Sequence, residues 1–154
     1  MTTQYPLGRK VQHDHRSLAF PVAGLPISSL KSVRWKRRVP IFDQGNLGSC
    51  VGNAAAGWLG TDNAERQGFV TEDGQTVDEA LAVSLYSQAT KIDGDPGVYP
   101  QNDTGTSGLA AAKALKARKL VSHYHHAFSL QAILTALQTG PVLLGLPWHS
   151  SSFT

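Results

Sequence analysis

The chain has one cysteine, Cys50, in 154 residues. An internal disulfide is therefore excluded, and the fold must rest on its core. There is no apolar run of about 18 residues, so no transmembrane helix is expected. Met1 to Gly8 lack a basic start followed by an apolar core, so no signal peptide is evident. Charged residues are scarce, at 16%, and the net charge of +3 is too small to imply nucleic acid by itself. Neither Gly-x-x-x-x-Gly-Lys-Ser/Thr nor Gly-x-Gly-x-x-Gly occurs, so nucleotide chemistry has no support. No internal repeat is visible. His13-x-His15 and His123-x-His125-His126 have no carboxylate or second cysteine at a ligand-like spacing, and they read as surface residues rather than a metal site. No metal, cofactor, nucleic acid or membrane partner is expected.

What is present is organised around Asp43-Gln44-Gly45-Asn46-Leu47-Gly48-Ser49-Cys50. A glycine-rich turn, Gly45 to Gly48, leads directly into the cysteine. From Cys50 the pattern turns helical: Val51, Ala54, Ala55, Trp58 and Leu59 recur along one helical face. Ser49 is the expected N-cap, its hydroxyl accepting from a free first-turn N–H. Cys50 then falls in the first turn of a helix, where unpaired N–H groups and the dipole favour negative charge, and thiolate is the nucleophilic form of cysteine. Gln44, six residues earlier, is placed to fold back over the turn. Its amide N–H₂ beside the Cys50 backbone N–H would make an oxyanion hole.

Gln44-Gly45-x-x-Gly48-Ser49-Cys50 resembles the nucleophile segment of papain-like cysteine peptidases, in which a Gln six residues before the Cys completes the oxyanion hole. The longer stretch Asp43 to Ala54 resembles the bacterial and phage branch of that family. Ala82-Val83-Ser84-Leu85-Tyr86, Asp103-Thr104-Gly105 and Gly140-Pro141-Val142 resemble the same branch, so the likeness runs from about Arg38 to the C-terminus. Secreted members usually pair a Cys three residues before the nucleophile; here that position is Leu47. This fits a reducing compartment, cytoplasmic or virion-associated. The resemblance implies an α+β fold, mainly the helical (left) half-domain with the beginning of the β half-domain. By the same resemblance Gly48, Ser49, Thr104 and Gly105 would bind substrate, the last two as one wall of the groove. Such peptidases also need a His base and an Asn or Asp that orients it. The papain pattern puts these roughly 130–150 residues beyond the Cys, and no Gly-His-Ala-like or Asn-Ser-Trp-like motif follows Gly140-Pro141-Val142. The expectation is a truncated peptidase. His149 follows too early to match the family's His and reads as a loop residue.

The rest of the chain divides into three expected parts. Residues 1–39 form an extended arm or short propeptide, broken by Pro6, Pro21 and Pro26. Within it Lys31, Arg34, Lys36, Arg37 and Arg38 surround Trp35; this reads as a solvated surface segment rather than a nucleic-acid patch. Residues 40–128 form the helical half. Val39 to Phe42 is a short strand or extended piece, and helices are expected over Cys50 to about Arg66 with Gly68 as C-cap, over Asp78 to about Thr90, and from a Thr106 or Ser107 cap to Lys119. Asp73-Gly74 signals a turn. Asp93 to Gly108 is a loop long enough to be functional or pinned by partners, and Val121 to Phe128 is a possible short strand. Residues 129–154 begin the β half, with a Ser129-capped helix to Gln138 and a buried strand over Val142–Leu146, left as an exposed apolar edge.

Three functions follow. The first is peptide-bond hydrolysis through a Cys50 thioester, with Gln44 in the oxyanion hole and a peptide or protein as substrate, in a weakly active or inactive form. The second is a non-catalytic papain-fold binding or phage structural module. The third is another cysteine-dependent acyl transferase or amidase.

Overall fold

A computed structural model describes residues 10, 12–62, 71 and 74–146. Its regular elements are helices: α1 (Cys50–Leu59), α2 (Glu79–Thr90), α3 (Gly108–Ala117) and α4 (Leu130–Ala136), with short 3-10 turns at His15–Ala19 and Ile27–Ser29 in the arm.

The first three helices pack on one another. Val39, Ala55, Ala56, Leu59, Val77, Leu81, Ala82, Leu85 and Leu115 form the main core cluster. A smaller one joins Ala89, Ala110 and Ala114 under Ile92. Each buried leucine contributes about 1.5–3 kcal/mol by leaving water. The alanine-rich faces let the backbones approach. At Gly52 on α1 a Cβ would run into the Ala82 carbonyl and the Tyr86 side chain of α2, so glycine there sets the α1–α2 separation.

Helix starts follow side-chain capping. Asp78, Ser107 and Ser129 each accept from the backbone N–H three residues on, at Leu81, Ala110 and Ala132. Ser49 occupies the N-cap position of α1 but does not cap it in the expected way. Its hydroxyl is buried and donates to Asn53 Oδ1 at 2.8 Å. Helix α1 ends at Leu59, with the Gly60 N–H returning to the Ala56 carbonyl. The expected helix does not continue through Gly60, Thr61 and Asp62, and residues 63–66 of its expected span lie outside the described residues, as do the Gly68 cap, Asp73 and His149.

The expected α+β, papain-like fold is not what forms. Among the described residues there is no sheet, and strand pairing is limited to isolated bridges, Pro21 with His126 and Arg37 with Thr61. Each has a local cause. The Phe20 N–H, which would pair next in this parallel register, is taken by the Ser17 carbonyl of the 3-10 turn, so the pairing of residues 121–128 with the arm does not propagate back along it. Arg37 meets Thr61 where α1 has just ended, and Pro40 follows three residues later. Val142–Leu146 is not a buried strand. It has no neighbouring strand among the described residues, and Leu143, Leu144 and Leu146 are exposed. The helical residues 129–136 thus do not open a β half within the described chain.

The arm crosses the helices. Gln12 reaches the Asp93 carbonyl and Ser107, Asp14 pairs with Lys113 of α3, and Val22 and His126 are joined backbone to backbone. Beyond Pro26 it runs along α4. Leu25 bonds Thr135 and Gln131, Lys31 bonds Gln138, and the Trp35 indole donates to the Leu137 carbonyl at 2.9 Å.

Candidate functional site

Cys50 is the first residue of α1, and its thiol is free and exposed. The first N–H groups of a helix have no intrahelical acceptor. The earliest return bond of α1 is from the Asn53 N–H to the Ser49 carbonyl, so the Cys50 N–H lies in the unpaired first turn.

The turn before it is built by its own residues. The Gly45 N–H donates to Asp43 Oδ1, and the Leu47 N–H to the Gln44 carbonyl. Gly45 has φ 54°, a left-handed conformation that glycine adopts without a Cβ penalty. The Gln44 amide nitrogen donates to the Leu47 carbonyl at 2.8 Å. One of its two N–H groups is thereby spent inside the turn rather than beside Cys50.

Two anchors hold this turn. On one side Glu79, at the start of α2, accepts from the Asp43 N–H at 3.1 Å and from Asn53 Nδ2 at 2.6 Å, and Asn53 in turn accepts from the Ser49 hydroxyl. On the other, Gly48 donates its N–H to Asp103 Oδ2 at 2.8 Å. A Cβ on Gly48 would sit 2.6 Å from Asp103 Oδ1 and 3.3 Å from the Gly105 nitrogen, so the absence of a side chain is what admits the loop. The Tyr86 hydroxyl of α2 donates to Asp103 Oδ1 at 2.5 Å and accepts from the Gly105 N–H at 3.0 Å. Burial, and then the hydrogen bond to Asp103, raise the Tyr86 phenol well above its ordinary range, so it stays a donor across neutral pH.

The fold therefore brings Gly48, two residues before Cys50, against Asp103 and Gly105, on either side of Thr104, across more than fifty residues of sequence. Gly105, with φ 67°, has its N–H taken by Tyr86 and its carbonyl by Lys10 Nζ at 3.5 Å and the Thr104 hydroxyl at 3.3 Å. It lines the site by having no side chain rather than by offering backbone groups. Thr104 keeps its backbone N–H and carbonyl unbonded among the described residues. The 93–108 loop is rigidly tied. Buried Asp93 accepts from the Thr106 hydroxyl at 2.6 Å and the Asp95 N–H, Ser87 and Thr90 bond Tyr99, and Lys10 pairs with Asp95.

No hydrogen bond among the described residues joins an imidazole to Cys50. His123 and His125 stack edge to face, and His126 stacks on Phe128. No group of three His, Cys, Asp or Glu among the described residues is arranged to hold a metal ion. No described helix is long and apolar enough to cross a membrane. In the basic segment, Arg37 is spent on the Val39 and Pro40 carbonyls and on the Phe42 ring, and Arg38 on Asp62.

Asp103, Tyr86, Glu79 and Asn53 were not among the expected site residues. Each lies far from Cys50 in sequence or inside a helix, and only Asp103-Thr104-Gly105, as a turn before a helix, carried a local signal. No protein-family model, curated protein or solved structure matches the chain.

Proposed function

We propose that the chain uses Cys50 as a thiol nucleophile toward peptide carbonyls, with a peptide or protein as substrate. The observation that carries this reading is an exposed thiol at the first residue of α1, on a turn held from both sides, next to a fixed loop with free backbone groups at Thr104. In the reaction the Cys50 sulfur adds to the carbonyl carbon. The oxyanion takes the Cys50 N–H and the remaining Gln44 N–H, the C–N bond breaks as the amine leaves with a proton, and water then cleaves the thioester. Gly48 and Ser49 set the approach to the sulfur, and Thr104 with Gly105 forms the wall along which an extended peptide lies.

Since no imidazole is hydrogen-bonded to Cys50 among the described residues, proton transfer is the weak step. Hydrolysis should be slow, with stoichiometric acylation easier to see than turnover. Incubation with a thioester-forming peptide ester, followed by mass spectrometry, should show one acyl group on wild-type protein and none on Cys50→Ala. Rapid multiple-turnover hydrolysis by Cys50→Ala would overturn the reading. The same lack of an imidazole partner favours one second reading, a module that binds extended peptides without cleaving them. In that case Cys50→Ala binds peptide as tightly as wild type and wild type never acylates.

A further inference from the structure

The single cysteine leaves no covalent means of tying the nucleophile turn to the loop that faces it. A continuous chain of hydrogen bonds does so instead, from the Gly105 N–H to the Tyr86 hydroxyl, from that hydroxyl to Asp103 Oδ1, and from the Gly48 N–H to Asp103 Oδ2. The three sites come from the α1 entry, the middle of α2 and the loop before α3. Tyr86 is fully buried, so its ring position is set by the core, and it hands that position to Asp103. Asp103 passes it to Gly48, two residues before Cys50. Gly48 can accept the approach only because it lacks a Cβ.

We propose that Tyr86 and Asp103 are positioning residues that fix the separation between the Gly48–Cys50 turn and the Thr104–Gly105 wall, and so determine whether an extended peptide is held in line with the Cys50 sulfur. The proposal rests on the peptide-groove reading given above, and it adds a geometric determinant that touches neither substrate nor sulfur. Both bonds of the Tyr86 hydroxyl are needed. Phenylalanine at 86 keeps the ring in the core but frees Gly105 and one oxygen of Asp103. Asparagine at 103 keeps the shape of the carboxylate with one acceptor in place of two.

The test compares two alkylating reagents on wild type, Tyr86→Phe and Asp103→Asn. Iodoacetamide needs only an exposed thiol, whereas a dipeptidyl chloromethyl ketone also needs the groove. In both cases sulfur forms a C–S bond and halide leaves. Wild type is expected to react faster with the peptidyl reagent. Tyr86→Phe should lose about tenfold of that preference, as expected for loss of hydrogen bonds that hold geometry, while its iodoacetamide rate stays within about twofold. Asp103→Asn should lose less. In hydrogen exchange, the Gly48 and Gly105 amides of Tyr86→Phe should speed up while those inside α1 and α3 do not. A wild-type preference kept by both variants overturns the inference alone. Uniform acceleration of exchange across α1, α2 and α3, with both reagents slowed together, also overturns it, since that is a general loss of stability. No peptidyl preference in wild type overturns the groove reading and this inference with it.

Discussion

Gly48 concentrates the constraints on the site in a single residue. Its N–H serves Asp103, and its missing side chain leaves room for the Asp103 carboxylate and the Gly105 backbone. Gly48→Ala should cost about 1–3 kcal/mol, the range for forcing an added methyl into a packed site. The urea midpoint should fall with an unchanged slope. His126 is a second single-residue case. Burial lowers its imidazole below the ordinary range, against a smaller opposing pull from Asp14, and its Nε2 is buried without a partner. The folded chain therefore disfavours its protonation, while the unfolded chain binds a proton near pH 6.5. Its contribution to stability is complete above about that pH and is lost as pH falls below it. Thermal scans between pH 5 and 8 should show this slope in wild type, and His126→Phe, which needs no proton and can still stack on Phe128, should flatten it. Asp14 acts lower on the scale. The Arg16 side chain, and with it Lys113, holds its carboxyl well below the usual carboxylate range. The link it makes between arm and α3 is thus present above the ordinary carboxylate pKa and lost only in strong acid.

Among the elements, α3 and α4 begin on serines that cap by accepting a backbone N–H, and α2 begins on an aspartate doing the same. Ser107→Ala and Ser129→Ala should each cost about 1 kcal/mol. Ser107→Ala should cost the more, because its hydroxyl also donates to Gln12 and so joins the arm to the loop. Denaturation of the two variants in parallel checks the order. Ser49 obeys a different rule. Its hydroxyl is turned toward Asn53 and through it to Glu79, so the α1 entry is held by α2 rather than by a local cap. That difference leaves the first-turn N–H groups beside Cys50 uncapped by a side chain.

At the scale of the whole molecule, α1, α2 and α3 share the core, while α4 is held chiefly by the arm through Thr135, Gln131, Leu137 and Gln138. A helix of seven residues has little stability of its own. Trp35→Phe removes the indole bond to the Leu137 carbonyl and should speed amide exchange in α4 by about tenfold, leaving α1 and α2 unchanged. Equal acceleration throughout would mean that α4 belongs to the common core.

The four helices and most of their starts are written in local sequence terms. Apolar spacing and capping residues act over three or four positions, and Asp78, Ser107 and Ser129 state those local terms without competition. The glycine turn that ends on Cys50 is written the same way, because the positive φ at Gly45 is a property of one residue and its neighbours. The remaining features follow from contacts between distant segments. Whether Val142–Leu146 becomes a strand depends on a partner strand, and the apolar run is the same with or without one. Whether Ser49 caps α1 depends on Asn53, itself held by Glu79 of α2, accepting its hydroxyl. The end of α1 at Leu59 was set where Gly60 meets Val39 and the chain turns back past Arg38. The Tyr86–Asp103–Gly48 link was beyond any local reading, since its members are separated by 17 and 55 positions, and only the packing of α1 on α2, admitted by Gly52, brings them within hydrogen-bonding reach.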